Sequence, residues 1–570
     1  MRNELPGTTA ELLQADWSTF EPEYRDLAAQ TLAAENVAGW LSRWSRASEL
    51  VAELYNRLYV ATTVNTADAE AEKRYQHFTE QIYPQASEAD QGLKEKLIAS
   101  GLCPPGFEIP LRNYRAEADL YRAENLPLIS EEFQLSNEYF KITGAQTVTW
   151  EGKETTLQQL NPVAEDPDRQ RREAAWRLSI ERQLADREAL NALWQKLLDL
   201  RLRMAANTGR DYRAFRTQQL LRFDYTPADC HKFHQAIEET VVPAAQRIYE
   251  RRRRLLGVDR LRPWDVSVDP YGRPALHPFQ DVAGLKRGVS AIFHHVDPVL
   301  GGYFDSMVSE ELLDLDNRKN KGPGGYCNGF DAVRKPFIFM NAVGTHDDVQ
   351  TLLHEGGHAF HVFESAHLPY HAQLSVPMEF AEVASMGMEL LAGPYLAHDY
   401  GGFYTPQEAA RARASHLEGI LLFWPYMAVV DAFQHWVYEN PSQAMQPNAC
   451  DAAWGDLWGR FMPGVDWSGF EDAMLTGWHR KLHIFEVPFY YVEYGLAQLG
   501  AVQVWRNALE DQAGAVARYR QALSLGGTVT LPQLYAAAGA RLAFDAPMLR
   551  DAVQLLEEKM AGFEALAEGA

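Results

Sequence analysis

The chain has few cysteines, and none of them are close together. Cys103, Cys230, Cys327 and Cys450 are each more than 90 residues from the next. There is no C-x-x-C pair, and the spacing suggests neither a disulfide framework nor a cysteine zinc site, which suits a reducing cytosol. No run of 18 apolar residues occurs, so no membrane-spanning helix is expected. The N-terminal segment MRNELPGTTAELLQADW lacks the apolar stretch of a signal peptide, so a cytoplasmic location is the expectation. Positive charge is also scarce: 54 Lys and Arg stand against 77 Asp and Glu, a net charge of −23. Nucleic acid and anionic membranes are polyanions, so neither is an expected partner. The sequence contains no internal repeat and no low-complexity segment.

What is present is mostly helical periodicity over 570 residues, too long a chain for one small core. Residues 25–100 carry apolar positions every three or four residues, and Pro104-Pro105-Gly106 breaks the pattern. A second helical block spans 112–143. The β-branched run Thr147–Thr156 around Glu151-Gly152 predicts a small hairpin. Residues 166–207 predict one or two long helices. The four arginines Arg251–Arg254 read as a solvated helix face. Loops are expected at 257–282, 440–470 and 526–530. Between 322 and 344 two short strands are expected, joined by a turn near Asp331–Lys335.

The chemistry concentrates at His354-Glu355-Gly356-Gly357-His358, an H-E-x-x-H motif. Thr345 and Asp348 predict a capping box, and Val349, Leu352, Leu353 and Ala359 carry the helix through the motif. On that helix His354 and His358 share a face one turn apart, where two imidazoles can meet at one zinc ion. Glu355 then lies beside the metal, placed to accept a proton from its bound water. Gly356 and Gly357 weaken the helix by roughly 1 kcal/mol each relative to alanine. Their presence predicts a close approach there, by a neighbouring helix or by substrate.

A third ligand is needed. His361 shares the face but lies about 10.5 Å along the axis from His354, too far for one ion to reach both. It is expected beside the site, behind the ligands or facing substrate. Ser375-Val376-Pro377 predicts a second helix start, and Gly393-Pro394 its end. Glu379, Glu382, Ser385 and Glu389 fall on one side of that helix. Glu382 is the expected ligand and Glu379 the alternative, while Glu389 is placed to orient a ligating histidine.

These residues resemble the M3 family of zinc oligopeptidases, most closely its bacterial oligoendopeptidase F group, related to thimet oligopeptidase and neurolysin. The resemblance rests on His354–His361 and on Phe380–Glu389, where a glutamate is followed by serine at three residues and glutamate at seven. It is strongest over 322–500, and the first 200 residues match only in helical character. It implies a mainly α fold with two helical lobes around a deep channel and a small β element beside the zinc helix. Residues 1–205 would form the channel wall and 206–570 the catalytic lobe. It also implies a late histidine–tyrosine segment opposite the zinc, for which His483, Tyr491 and Tyr494 are the counterparts. Spacing from His483 is one residue short of the mammalian pattern, so Tyr490 competes with Tyr491. Gly324, Gly325 and Tyr326 occupy the place of the substrate-binding strand.

The activity so implied is endopeptidase cleavage of short unstructured oligopeptides by a zinc-bound water, with one zinc per chain. A carboxypeptidase of M32 type or a peptidyl-dipeptidase also uses H-E-x-x-H with a distant glutamate. His277-Pro278-Phe279 is similar to an M32 motif, but it lies 77 residues before His354 and no D-x-R-x-T follows. A peptide-binding clamp without catalysis is the non-enzyme alternative, and Glu355 argues against it because a binder needs no general base.

Overall fold

Helices make up 71% of the chain and strands 5%, mainly α as expected. The computed structural model describes residues 5–318, 320–322 and 324–568. Pro323 and the first four residues of the N-terminal segment lie outside the described residues. Some of the long helices start from side-chain caps and others do not. Helix α1 spans Val37–Val64. The hairpin pairs β1 (Thr147–Trp150) with β2 (Lys153–Thr156). Helix α2 (Pro227–Leu255) starts from a Thr226–Asp229 capping box with proline in its first turn.

Among the described residues the buried side chains form two large hydrophobic cores and two small clusters. The smaller core runs from Leu12 to Leu111. The larger runs from Leu120 to Met560. The division between them falls between residues 111 and 120, well inside the segment 1–205.

A three-stranded sheet packs between the larger core and a small cluster at Val60. Its strands are β3 (Leu313–Asp316), β4 (Tyr326–Phe330) and β5 (Lys335–Ala342), in the order β3-β5-β4. β4 and β5 are the two expected strands, antiparallel; β3, parallel to β5, was not expected. The period-2 pattern of β5 serves both faces. Phe337 and Phe339 pack with Val60 of α1, while Ile338, Met340 and Ala342 join the large core. The Asn56 amide of α1 donates to the Gly329 carbonyl at 2.8 Å. β4 is therefore an edge strand leaning on α1.

Two expectations are corrected. The arginine run is only partly a solvated face: Arg254 is exposed, but Arg252 is buried and donates to Glu418 and to the carbonyls of Val266 and Val268. Five donors on a planar fork let it satisfy several acceptors at once. The expected loop at 440–470 contains a 15-residue helix, Pro447–Phe461. Proline is tolerated in its first turn, and Trp454 and Phe461, two turns apart, bury together.

Candidate metal centre and active site

Helix α3 spans His346–Ser365 and starts from the expected Thr345–Asp348 capping box. Helix α4 spans Met378–Ala392. Its start differs from the expectation: Pro377 holds the cap position with no side-chain cap, and Ser375 lies outside the helix. The Ser375 carbonyl is occupied in packing, since a Cβ on Gly527 would sit 2.1 Å from it. Helix α5 spans Pro406–Glu439 and α6 spans Tyr491–Glu510.

The two motif glycines meet protein. A Cβ on Gly357 would lie 2.4 Å from the Ala384 carbonyl oxygen, and one on Gly356 would lie 2.5 Å from the Phe293 ring. Glycine thus lets α4 press its backbone against α3. That contact brings the ligand atoms together. Donor atoms of His354, His358 and Glu382 all lie within 4.8 Å of one another. Glu382 Oε2 is 3.4 Å from His354 Nε2 and 3.7 Å from His358 Nε2. Ser385 Oγ, one turn on, donates to the same oxygen at 2.9 Å. Glu379 points elsewhere and accepts from the Tyr225 hydroxyl at 2.6 Å.

Glu389 lies behind His354, with Oε1 2.7 Å from Nδ1. Its other oxygen meets His416 of α5 at 2.9 Å. Sequence reasoning missed His416, because no linear spacing ties a residue of α5 to Glu389; only the helix packing does. His361 stands outside the donor group, edge-on to Phe380 at 6.1 Å, with Nε2 buried and without a partner among the described residues.

Charge follows this geometry. Burial opposes the cation on His354, but the Glu382 and Glu389 carboxylates outweigh it and hold its pKa well above the ordinary value. Burial pushes His358 down to about 4. Burial alone would raise Glu382; His354 and His358 reverse this and hold it low. Glu355 is pushed up to about 7 by burial, and its Oε2 is buried with no partner among the described residues. Two imidazoles and a carboxylate, with an idle carboxylate oxygen beside them, form a donor set that fits a catalytic zinc with its fourth position open.

The late segment faces this set. The Tyr490 hydroxyl donates to Glu382 Oε1 at 3.2 Å. The Tyr494 ring lies 5.1 Å from Tyr490 and 6.0 Å from His483. Burial and the Lys481 cation push His483 down to about 4, so it is neutral near pH 7. Tyr491 turns away: it is buried, and its hydroxyl accepts from Lys481 Nζ at 2.9 Å. Of the two competing tyrosines, Tyr490 therefore reaches the ligand set. Tyr326 is also turned from open space, stacked on Phe339 at 4.8 Å with its hydroxyl bonded to Thr63 Oγ1 at 2.5 Å. Gly324 has φ +88° and open space beside it, while a Cβ on Gly325 would lie 3.4 Å from Thr351 of α3.

An H-E-x-x-H helix joined by a glutamate from the next helix, in a helical fold, is the arrangement of a gluzincin-type metallopeptidase. The chain belongs to peptidase family M3, whose family model matches residues 163–553. The chain is 24% identical over 322 residues to an oligoendopeptidase F homolog of Lactococcus lactis subsp. lactis, a match covering 55% of this chain and 48% of that one. It is 25% identical over 281 residues to oligopeptidase PepF of Bacillus subtilis, covering 47% and 40%. These matches thus span about half the length of the relatives or less. The solved structure of PZ peptidase A with an inhibitor superposes with a TM-score of 0.87 at 27% identity, over 98% of each chain. No helix among the described residues is long and apolar enough to cross a membrane.

Proposed function

We propose that the chain is a zinc-dependent endopeptidase acting on short, unstructured oligopeptides. One observation carries this reading: three ligand atoms converge within 4.8 Å beside Glu355, whose Oε2 has no partner among the described residues. His354, His358 and Glu382 would hold one zinc, with Glu389 and His416 fixing the His354 ring. When bound, zinc supplies a Lewis acid that polarises the scissile carbonyl and acidifies water.

The chain's own residues do the rest. Glu355 accepts a proton from the attacking water and returns it to the departing amine. The Tyr490 and Tyr494 hydroxyls and the neutral His483 imidazole are donors for the oxyanion that develops on the substrate. The outer edge of β4, entered through Gly324 and Gly325, offers backbone groups for an extended peptide to pair with. Residues 1–205 would form the far wall of a substrate channel, with 206–570 as the catalytic lobe. A folded domain could not enter such a channel, which is why short peptides are the proposed substrates. Free thiols at all four cysteines suit a reducing, cytoplasmic setting.

Mass spectrometry of a peptide blocked at both termini, after incubation with the zinc-loaded protein, tests this reading. Internal cleavage of that peptide, with a folded protein left intact, is expected. A blocked peptide left intact while unblocked ones lose C-terminal residues would replace it with the carboxypeptidase reading.

A further inference from the structure

Helices α2 and α5 pack side by side, and their interface holds a second group of ligand-type side chains. α2 contributes Cys230, His231 and His234. α5 contributes Asp431, His435 and Glu439, four residues apart and so stacked on one face. Donor atoms of Cys230, Asp431 and His435, all buried, lie within 4.8 Å of one another. His231, His435 and Glu439 meet the same criterion. His231 and Glu439 are exposed, so this second trio leads from His435 to the surface.

Protein contacts leave the buried trio unsatisfied. His234 Nε2 lies 2.8 Å from Asp431 Oδ2. Asp431 Oδ1 has no partner among the described residues, and neither ring nitrogen of His435 has one. His435 Nε2 is 3.4 Å from Asp431 Oδ2 without making a hydrogen bond. Asp431 is 0% exposed and His435 3%, so water does not compensate from outside. Buried polar groups are nearly always paired, and an imidazole whose polar contact is one 3.4 Å ion pair with Asp431, with no hydrogen bond at either nitrogen among the described residues, has room for a ligand.

We propose that Cys230, Asp431 and His435 form a second site for a divalent transition metal of zinc type, apart from His354, His358 and Glu382. Sulfur, nitrogen and oxygen donors suit such an ion. A thiolate and a carboxylate also neutralise its two positive charges, which buried charge requires. His234 holds the carboxylate in place, as outer partners of metal ligands do. On binding, the Cys230 S–H bond breaks, a sulfur–metal bond forms, and the proton leaves to solvent. His231 and Glu439 mark the entry route. The site would also brace the active-site side of the molecule. Gln434, next to His435, accepts the Phe489 N–H at 2.7 Å, and the His435 ring lies 4.9 Å from the Phe489 ring. Phe489 has φ +65° and immediately precedes Tyr490.

Cobalt(II) added to the metal-stripped full-length protein tests this, because thiolate ligation gives a charge-transfer absorption that the cysteine-free His354–His358–Glu382 set cannot produce. The band should appear in the wild type, persist in the His354→Ala/His358→Ala variant, and vanish in Cys230→Ser. Zinc content at saturation should fall from two per chain to one in Cys230→Ser. A wild type with no thiolate band and one zinc per chain would overturn the proposal, as would a band that survives Cys230→Ser. Should Cys230→Ser fail to fold, an anomalous difference map from zinc-soaked wild-type crystals decides: a peak between Cys230 and His435 supports the site, and its absence refutes it.

Discussion

Glu389 Oε1 lies 2.7 Å from His354 Nδ1. With its other oxygen on His416, this one carboxylate links α3, α4 and α5. Occupying Nδ1 fixes the imidazole so that Nε2, the nitrogen 3.4 Å from Glu382, is left to ligate. Glu389→Gln keeps the shape and removes the charge. It should weaken zinc affinity by about 10- to 100-fold, the usual effect of losing an outer carboxylate, with helical content unchanged. Chelator competition measures this; unaltered affinity would deny Glu389 the orienting role.

The motif glycines make a sharper contrast. A methyl at Gly357 would strike the α4 backbone, which cannot yield without separating the ligand helices; at Gly356 it would strike the tip of the buried Phe293 ring, a side chain and not backbone. Gly357→Ala should therefore destabilise the protein by about 3 kcal/mol or more, above the ordinary overpacking range of the Gly356→Ala exchange. It should also lower zinc affinity, because His358 and Glu382 move apart. Urea unfolding and zinc titration of both variants check this. Equal penalties would mean that the helix contact does not set the ligand geometry.

The tyrosines separate by what their hydroxyls touch. Tyr490 meets Glu382 and Tyr491 meets Lys481. Tyr490→Phe and Tyr494→Phe should lower kcat on a short peptide by about 10- to 100-fold with little change in KM, since the donors act on charge absent from the ground state. Tyr491→Phe should leave kcat within a few-fold. A kcat loss confined to Tyr491→Phe would reverse the assignment.

That last assignment shows where the sequence stops being readable. The capping box, the H-E-x-x-H face and the Glu382–Ser385–Glu389 spacing are local, so helix periodicity alone places them. Tyr490 and Tyr491 are neighbours at the start of α6, and local spacing cannot choose between them; the choice depends on the Phe489 turn, held by Gln434 from another helix. His416 was illegible for the same reason. Strand β3 is short and pairs in parallel with β5, a long-range pairing that leaves no hairpin signature. Arg252 reads as a surface charge until Glu418 and two loop carbonyls are folded against it.

The pH dependence of stability should carry the mark of His479, far from the ligand set in sequence. Burial lowers its pKa from 6.5 to about 3, and its Nε2 lies 2.9 Å from Asn191 Oδ1. Between those two values the unfolded chain binds a proton that the folded chain refuses. Stability is thus unaffected above pH 6.5 and falls as pH drops below it, by about 1.4 kcal/mol per pH unit from this one group. At pH 5 the loss is about 2 kcal/mol. His479→Gln keeps a polar partner for Asn191 and cannot titrate. Urea unfolding of wild type and variant at pH 7 and pH 5 isolates the effect, since the other buried histidines are common to both. The variant should lose about 2 kcal/mol less than wild type between the two pH values. Equal losses would mean that His479 takes up its proton in the folded state, and the buried, neutral imidazole would have to be abandoned.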